Sequence, residues 1–450
     1  MTKNDILTLT IEGYTSSGDG VARSDGRVVF VRRAIFGETV SARVLRVSSS
    51  AVYARIESIL EASPERREPA CPHFGRCGGC DFLHMSYDEE LRCKLRRVTD
   101  ALRRIGGADI QPSAILPSPA AERYRNKAIF EVGSAADGRA VTGFYRERSH
   151  DIVPVEDCLI QSPSALRAAA AVREWMDLSR SDFSRAPRLD FSRDARSPVR
   201  HIFFREGRCG AQIAVVTRGA ELPRRDYLVA ALRERVPETV GVLQIVNRSE
   251  SNTALAGELK LLYGSEYLED ALCGLTFRLS PRAFYQVNRP QAENLYSEAI
   301  RLAALEKTDA ALDLYCGAGT ITLALAGRAG QVYGAEISPD AIADARVNAA
   351  LNGVTNAQFT EGDAGEAARS LEHSGVRPDV VVVDPPRKGL APDVVDTIAR
   401  LAPRRVVYIS CDPATLARDI RRFAESGYSA VHARAFDMFP RCAHVETAAL

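Results

Sequence analysis

No stretch of the chain approaches the ~20 consecutive apolar residues that a membrane-crossing helix needs, although hydrophobic residues make up 46% of its 450 positions. A membrane protein is not expected. Also missing is an excess of one charge: 59 Lys and Arg stand against 58 Asp and Glu, a net charge of +1. Any binding of nucleic acid must then come from local basic patches and not from a globally cationic surface. The opening MTKNDILTLTIEG alternates apolar and polar residues and lacks the basic, apolar and small-residue regions of an export signal, so a cytoplasmic location is expected. Ten cysteines in such a chain do not read as a disulfide framework, because cytosolic thiols stay reduced and more often serve metals or catalysis. There is no internal repeat or low-complexity tract.

What is present suggests about three domains at ~150 residues each. Residues 1–62 carry the runs LTLTIEGY, GRVVFVRRA, ETVSARVLRV and AVYARIESIL, parted by turn residues such as SSGDG and SDG, which is the pattern of a small OB-like β-barrel. The charged, proline-containing EASPERREPA then breaks the periodicity. Residues 63–270 begin with CPHFGRCGGC, continue into the helical YDEELRCKLRRVTDALRRIGG, and go on as mixed strands, an α+β domain. From 271 to 450 strand and helix alternate, which predicts a mostly parallel, doubly wound, Rossmann-like sheet. The expected fold class is thus multidomain α/β.

Within that last domain DLYCGAGTITLAL is an apolar strand carrying Asp313, a glycine turn and a helix opening at Thr320. Gly317 and Gly319 let the backbone approach a ligand closely, and Glu336, at the end of the next strand, is placed to bind ribose hydroxyls. The third strand ends in Glu361-Gly362-Asp363 and the fourth in Asp384-Pro385-Pro386, so four successive strands bear acidic residues at the end where open α/β sheets bind ligands. No phosphate-cradling lysine follows the glycines. Acidic groups suit ribose hydroxyls, an amine and a sulfonium, which favours S-adenosylmethionine over NAD or ATP.

After the fifth strand the chain reads Cys411-Asp412-Pro413, with Asp412 a suitable N-cap and Pro413 a fitting first helical residue. A cysteine at a helix N-terminus is favoured as thiolate. Carbon 5 of uracil is a poor nucleophile until a thiolate adds to carbon 6, and a base must then remove the proton from carbon 5. Cys411 is the candidate nucleophile, and Glu446 in the apolar HVETAAL the candidate base.

Cys71, Cys77 and Cys80 form C-x5-C-x2-C, with Cys158 further on. Three near and one distant suits an iron–sulfur cluster better than zinc, whose structural sites usually show two paired C-x2-C knuckles, although four thiolates could bind it; unliganded surface cysteines are the remaining alternative. The remaining cysteines, Cys93, Cys209, Cys273, Cys316 and Cys442, have no such spacing and are expected to pack in cores. Basic and aromatic residues interleave at Arg123-Tyr124-Arg125-Asn126-Lys127 and Phe144-Tyr145-Arg146, which offers phosphate contacts and stacking faces for RNA. A uridine that must reach a thiolate has to leave its stack, so a loop or single-stranded target is expected.

FYQVN (284–288), DLYCGAG, VVVDPPRKGL, YISCDP and HVET occur in this order, and with them the chain resembles the RNA uridine-5-methyltransferases. The resemblance implies that Gln286, Tyr315, Glu336, Asp363 and Asp384 contact S-adenosylmethionine, that Cys411 is the nucleophile and that Glu446 is the proton-abstracting base. RVVFVRRAIFGETVSARV is similar to the TRAM domain, an RNA-binding barrel of the oligonucleotide-binding type. The RumA/RlmD branch, which acts on 23S ribosomal RNA and carries a 4Fe-4S cluster, is the nearest in type; it implies iron on Cys71, Cys77, Cys80 and Cys158 and a central iron–sulfur domain. The transfer-RNA branch of TrmA type has neither cluster nor barrel. A radical enzyme fits badly, because a fourth cysteine and a separate cofactor fold are both present. An amino-group methyltransferase is suggested by Asp384-Pro385-Pro386, but Arg387 stands where that motif has an aromatic, and that chemistry needs no thiolate. A non-catalytic RNA-binding or assembly factor is the remaining alternative. No obligate protein partner is evident.

Overall fold

The computed structural model describes residues 1–183, 197–249 and 253–450. It divides into two units, the first made of residues 1–121, 387–389 and 410–449 and the second of residues 122–386, 390–409 and 450.

The first unit opens with six strands: Ile6–Thr10, Gly13–Tyr14, Gly20–Ser24, Arg27–Arg32, Thr39–Val47 and Ala51–Glu61. They hydrogen-bond in the order first, fifth, sixth, fourth, third, second. Only the fourth and sixth run parallel. In Thr39–Val47 every second side chain points inward over most of its length, as a half-buried strand requires, and Leu9, Val29, Val31, Val40, Ala42, Val44 and Val52 close the core. Asp25 and Gly26 both have positive φ, 49° and 73°, and join Ser24 to its partner Arg27. That is the primed turn that Asp-Gly favours in a two-residue hairpin.

Helix Tyr87–Arg104 follows. Ser86 caps it by accepting from the Glu89 amide, Asp88, Glu89 and Glu90 occupy the first turn and Arg103 and Arg104 the last, so charge and cap both follow the helix dipole. Strand Ser113–Leu116 runs parallel to Ala433–Phe436, which pairs antiparallel with Glu446–Ala449. Helix Pro413–Glu425 buries Leu416, Ala417, Ile420 and Phe423.

The second unit contains a seven-stranded sheet in the order Ile152–Pro154, Ala140–Tyr145, Lys127–Ser134, Val199–Gly207, Gly210–Thr217, Thr239–Val246, Glu258–Gly264. Its one parallel step, from Gly210–Thr217 to Thr239–Val246, is crossed by helix Arg225–Arg235. That helix and Pro163–Leu178 bury Trp175, Leu228 and Leu232 with Phe130, Phe204, Ile213 and Val215. Phe203, Ala214, Val216, Leu243 and Ile245 form a separate core cluster. The same unit holds parallel strands Ala357–Glu361, Gln331–Glu336, Ala310–Leu314, Val380–Val383 and Arg405–Ser410, neighbours in that order. Val380–Val383 is buried throughout, as a strand covered on both faces must be.

Candidate active site

All the cofactor candidates but Gln286 lie at or just after the carboxyl ends of the parallel strands. After Ala310–Leu314 the backbone turns sharply: Tyr315 has φ 70°, and the amides of Tyr315 and Cys316 both donate to the Ala335 carbonyl, at 2.9 and 3.0 Å. Gly317 and Gly319 follow with φ of 54° and 85°, values that side chains resist. Open space lies beside Gly317, whereas a side chain on Gly319 would press on Ala345 and Phe359. The first glycine leaves room for a ligand and the second allows close packing. Asn348 donates to the Ala318 carbonyl at 3.1 Å and holds the turn from behind.

Glu336 accepts from the Gly317 amide at 3.2 Å and from the Ser338 amide at 2.9 Å, so its carboxylate is oriented at the glycine turn. Asp313 is fully buried and accepts from the Thr322 hydroxyl at 2.5 Å; it ties its strand to the next helix and is a structural member of the acidic series. Burial pushes the Asp313 carboxyl up to about 7. Asp384 keeps part of its residue surface in solvent, yet burial of the carboxyl pushes it to about 7 as well. Asp363 is exposed and caps helix Ala364–His373 through the Gly365 amide. Gln286 is buried in a segment pinned by Asn126, which donates from its side chain to the Gln286 carbonyl at 3.0 Å and from its amide to the Val287 carbonyl at 2.9 Å. Arg205, 1% exposed, donates to the carbonyls of Ser280 and Ala283 at 2.9 and 2.7 Å. Neither Asn126 nor Arg205 was singled out as a site residue; Asn126 stood only as the polar member of the run Arg123–Lys127, and nothing in sequence marked Arg205. The open glycine turn and the acidic strand ends suit S-adenosylmethionine.

Cys411 follows directly on strand Arg405–Ser410 and is partly exposed. Asp412 is the N-cap, accepting from the Ala414 and Thr415 amides at 2.9 and 3.1 Å. Two first-turn donors are thereby taken by Asp412, and positive charge comes from Arg97 instead. Arg97 stands 3.6 Å from Asp412 and donates to the Ala443 carbonyl at 2.8 Å. Burial weakens its hold on its proton, while Asp412, Cys93 and Cys411 support the charge. Its spacing on the helix Tyr87–Arg104 gave no hint of this role. Glu446 is 4% exposed and pairs with Phe436 across the strands. Ahead of it His444 lies 3.1 Å from the Arg387 guanidinium. The chain that leads there is anchored by Lys94, 1% exposed, which donates to Glu90 at 2.7 Å, Asp437 at 2.6 Å and the Phe439 carbonyl at 3.0 Å. Tyr87 donates to Asp437 at 2.6 Å.

Cys71, Cys77 and Cys80 lie on a loop of successive turns in the first unit, Phe74 donating to the Cys71 carbonyl and Cys77 to that of His73. Phe74 stacks on buried His84 at 5.7 Å, and burial pushes that imidazole down to about 3. Cys158 belongs to the second unit. No disulfide is formed, and among the described residues no three His, Cys, Asp or Glu side chains are gathered to hold a metal ion. Of the other cysteines, Cys93, Cys316 and Cys442 are buried, Cys273 is partly exposed and Cys209 is exposed.

The five RNA candidates have different surroundings. Arg123 is engaged by the Cys158 carbonyl and by Asp157 at 2.7 Å. The Arg125 guanidinium lies over the Tyr124 ring at 5.9 Å. Burial pushes Lys127 down to about 8. Phe144 packs on Phe130 at 5.2 Å, and Arg146 is exposed.

Comparison with known proteins agrees with this geometry. Residues 2–56 match the TRAM domain and residues 228–450 the tRNA (Uracil-5-)-methyltransferase family. An uncharacterized RNA methyltransferase of Halalkalibacterium halodurans is 41% identical over 100% of this chain and 97% of its own length. One of Clostridium acetobutylicum is 37% identical over 100% and 97%. Among solved structures, the Pyrococcus abyssi tRNA (uracil-54, C5)-methyltransferase in complex with S-adenosyl-L-homocysteine superposes with a TM-score of 0.76 at 26% identity, covering 98% of this chain and 99% of its own. No helix among the described residues is long and apolar enough to cross a membrane. With its glycine turn, acidic strand ends and TRAM barrel, the chain belongs to the RNA uracil-5-methyltransferase family, whose members depend on S-adenosylmethionine.

Proposed function

We propose that Cys411 is the covalent nucleophile and Glu446 the base in the methylation of a uridine at carbon 5. The observation that carries this reading is the setting of Cys411, a partly exposed thiol directly after a parallel strand, with Arg97 within electrostatic reach. The Cys411 thiolate adds to carbon 6, and the electron pair of the 5,6 double bond moves onto carbon 5 and the carbonyl oxygen of carbon 4. S-adenosylmethionine supplies an electrophilic methyl group, which carbon 5 takes up. Gln286, Tyr315, Gly317, Gly319, Glu336, Asp363 and Asp384 are the residues to hold it. Glu446 removes the proton left on carbon 5, the double bond re-forms, and the Cys411 sulfur departs as thiolate. Replacing Cys411 with Ala is expected to abolish methylation and leave S-adenosylmethionine binding nearly unchanged; turnover within tenfold of wild type refutes the covalent route.

The substrate we infer is 23S ribosomal RNA. Support comes from the cysteine set Cys71, Cys77, Cys80 and Cys158, which makes a 4Fe-4S cluster in a central iron–sulfur domain the reading for the donors. A transfer-RNA target has its own support, the full-length likeness to the Pyrococcus abyssi tRNA enzyme. Because that likeness covers 98% of this chain, a barrel alone does not distinguish the two substrates. Arg123, Arg125, Lys127, Phe144 and Arg146 are proposed RNA contacts, Arg125 and Arg146 the best disposed of them. Mapping 5-methyluridine in ribosomal and transfer RNA from a strain without the gene decides the substrate.

A further inference from the structure

Within the first unit a cavity of about 290 Å³ opens between three walls. One is the barrel segment from Tyr14 to Ser16. The second is a face of helix Tyr87–Arg104, where Arg96, Arg97, Asp100 and Arg104 recur at helical spacing. The third is Asp412 to Ala414, the chain immediately after Cys411.

Three guanidinium groups against two carboxylates leave the lining one positive charge in excess. Neither ion pair satisfies its arginine: Arg104 lies 3.6 Å from Asp100 and Arg97 3.6 Å from Asp412, well beyond the ~2.7–2.9 Å of a tight charge-assisted bond. Arg96 directs one N–H to the Glu12 carbonyl at 3.4 Å, and its guanidinium lies 5.3 Å from the centre of the Phe36 ring, which is 46% exposed. The cavity thus joins positive charge, spare N–H donors and an adjacent aromatic face, the combination that takes a single-stranded nucleic acid by its backbone and an unstacked base.

We propose that this cavity receives a backbone phosphate of the RNA next to the target uridine, with Arg96 and Arg104 holding the charge and Phe36 offering a stacking face to a neighbouring base. This rests on the reading above that the uridine is held at Cys411. One phosphodiester carries the single negative charge that the lining lacks, and the third wall places its anchor beside the nucleophile along the chain.

The test uses the whole enzyme and, as probe, ribosomal RNA purified from a strain lacking the gene. Arg96→Ala and Arg104→Ala should each raise KM for the RNA by about 3- to 10-fold, with kcat within twofold, and should lower the slope of log affinity against log salt by about 0.7–0.9 per contact removed. Arg104→Lys, which keeps the charge, should restore most of the loss. Both side chains are exposed, and an unchanged unfolding midpoint verifies the fold. A double alanine variant that methylates with wild-type KM and salt slope overturns the phosphate site and leaves the methyl-transfer reading intact. A fall in kcat at unchanged KM overturns it too, since that would make these residues part of the chemistry. Failure of the wild-type enzyme to form 5-methyluridine on this RNA is the separate signature of an incorrect substrate, and the same variants are then compared on transfer RNA from that strain, where an unchanged KM and salt slope overturn the site in the same way.

Discussion

Replacing Lys94 with Met should destabilise the first unit out of proportion to the size of the change. The ammonium is 1% exposed, and both carboxylates it serves, Glu90 and Asp437, are 0% exposed. Methionine fills a similar volume, so the cavity contribution is small and the effect is electrostatic. Breaking a buried ion pair from one side costs about 3–5 kcal/mol, and because this lysine serves two carboxylates the upper end, about 5 kcal/mol, is expected. The loss should depend on pH. Burial already pushes the Glu90 carboxyl upward, and removing the cation pushes it further. With its folded value above its unfolded one, the carboxyl contributes stability that is full in acid and lost as pH rises, at about 1.4 kcal/mol per pH unit between the two values. The penalty at pH 8 should therefore shrink by several kcal/mol at pH 5. Urea unfolding should be followed by far-UV circular dichroism, because the single tryptophan, Trp175, lies in the other unit. A penalty below about 1 kcal/mol at pH 8, or one that does not change with pH, refutes this account. A triple variant that also carries Glu90→Gln and Asp437→Asn should recover most of the loss, since no buried carboxylate is then left without its ammonium, and Arg441, 3.5 Å from Glu90, keeps part of its side chain in solvent.

Glu446→Gln should still form the bond between Cys411 and RNA and accept a labelled methyl group, but should fail to release product, so a denaturation-resistant adduct should accumulate and vanish in the double variant with Cys411→Ala. Free turnover by the single variant removes Glu446 from the base role. Burial lets Asp384 hold its proton up to about 7, against an ordinary 3.8, so its contribution to stability is full below pH 4 and lost as pH rises to 7. A ligand that donates hydrogen bonds or brings positive charge favours the carboxylate, so calorimetric affinity for S-adenosylmethionine should rise between pH 6 and 8, and Asp384→Asn should flatten that rise; an unchanged profile in the variant excludes Asp384 as a contact. Anaerobically purified protein should contain roughly four irons per chain, the content of one 4Fe-4S cluster, and zinc without iron would reject the cluster.

The parts of the fold written in local pattern were readable. Val380–Val383, Asp412-Pro413 and Asp25-Gly26 each announce a buried strand, a helix start and a hairpin through their own chemistry, and each stands where that chemistry puts it. Helix Ala364–His373 escaped reading, although Asp363 caps it, because the acidic residue was read only as a strand end. The acidic series was legible as a pattern but not in its division of labour: that Asp313 is tied to Thr322 while Glu336 turns to the glycine amides depends on which way each strand end points. Arg97 and Arg205 were invisible for a similar reason. Their partners are 315 and 75 residues away or more, and nothing local marks an arginine that will be buried. The run that holds Arg123 and Phe144 was legible as basic and aromatic, but the carbonyl that Arg123 binds and the phenylalanine that Phe144 packs against were not.

Arg205 and Lys127 face each other across neighbouring strands, both lowered by burial and the lysine also by the arginine, and they act as a natural comparison of two cations. Burial takes the ammonium down to about 8 and the guanidinium only to about 10, because arginine begins from a much higher value. Near neutral pH the lysine begins to switch off while the arginine stays fully charged. The carbonyls of Ser280 and Ala283 are gripped by the arginine, so the segment just ahead of FYQVN keeps its fastening through changes of acidity that a lysine there would register. Substituting Lys at position 205 would turn a permanent clasp into one that alkali opens.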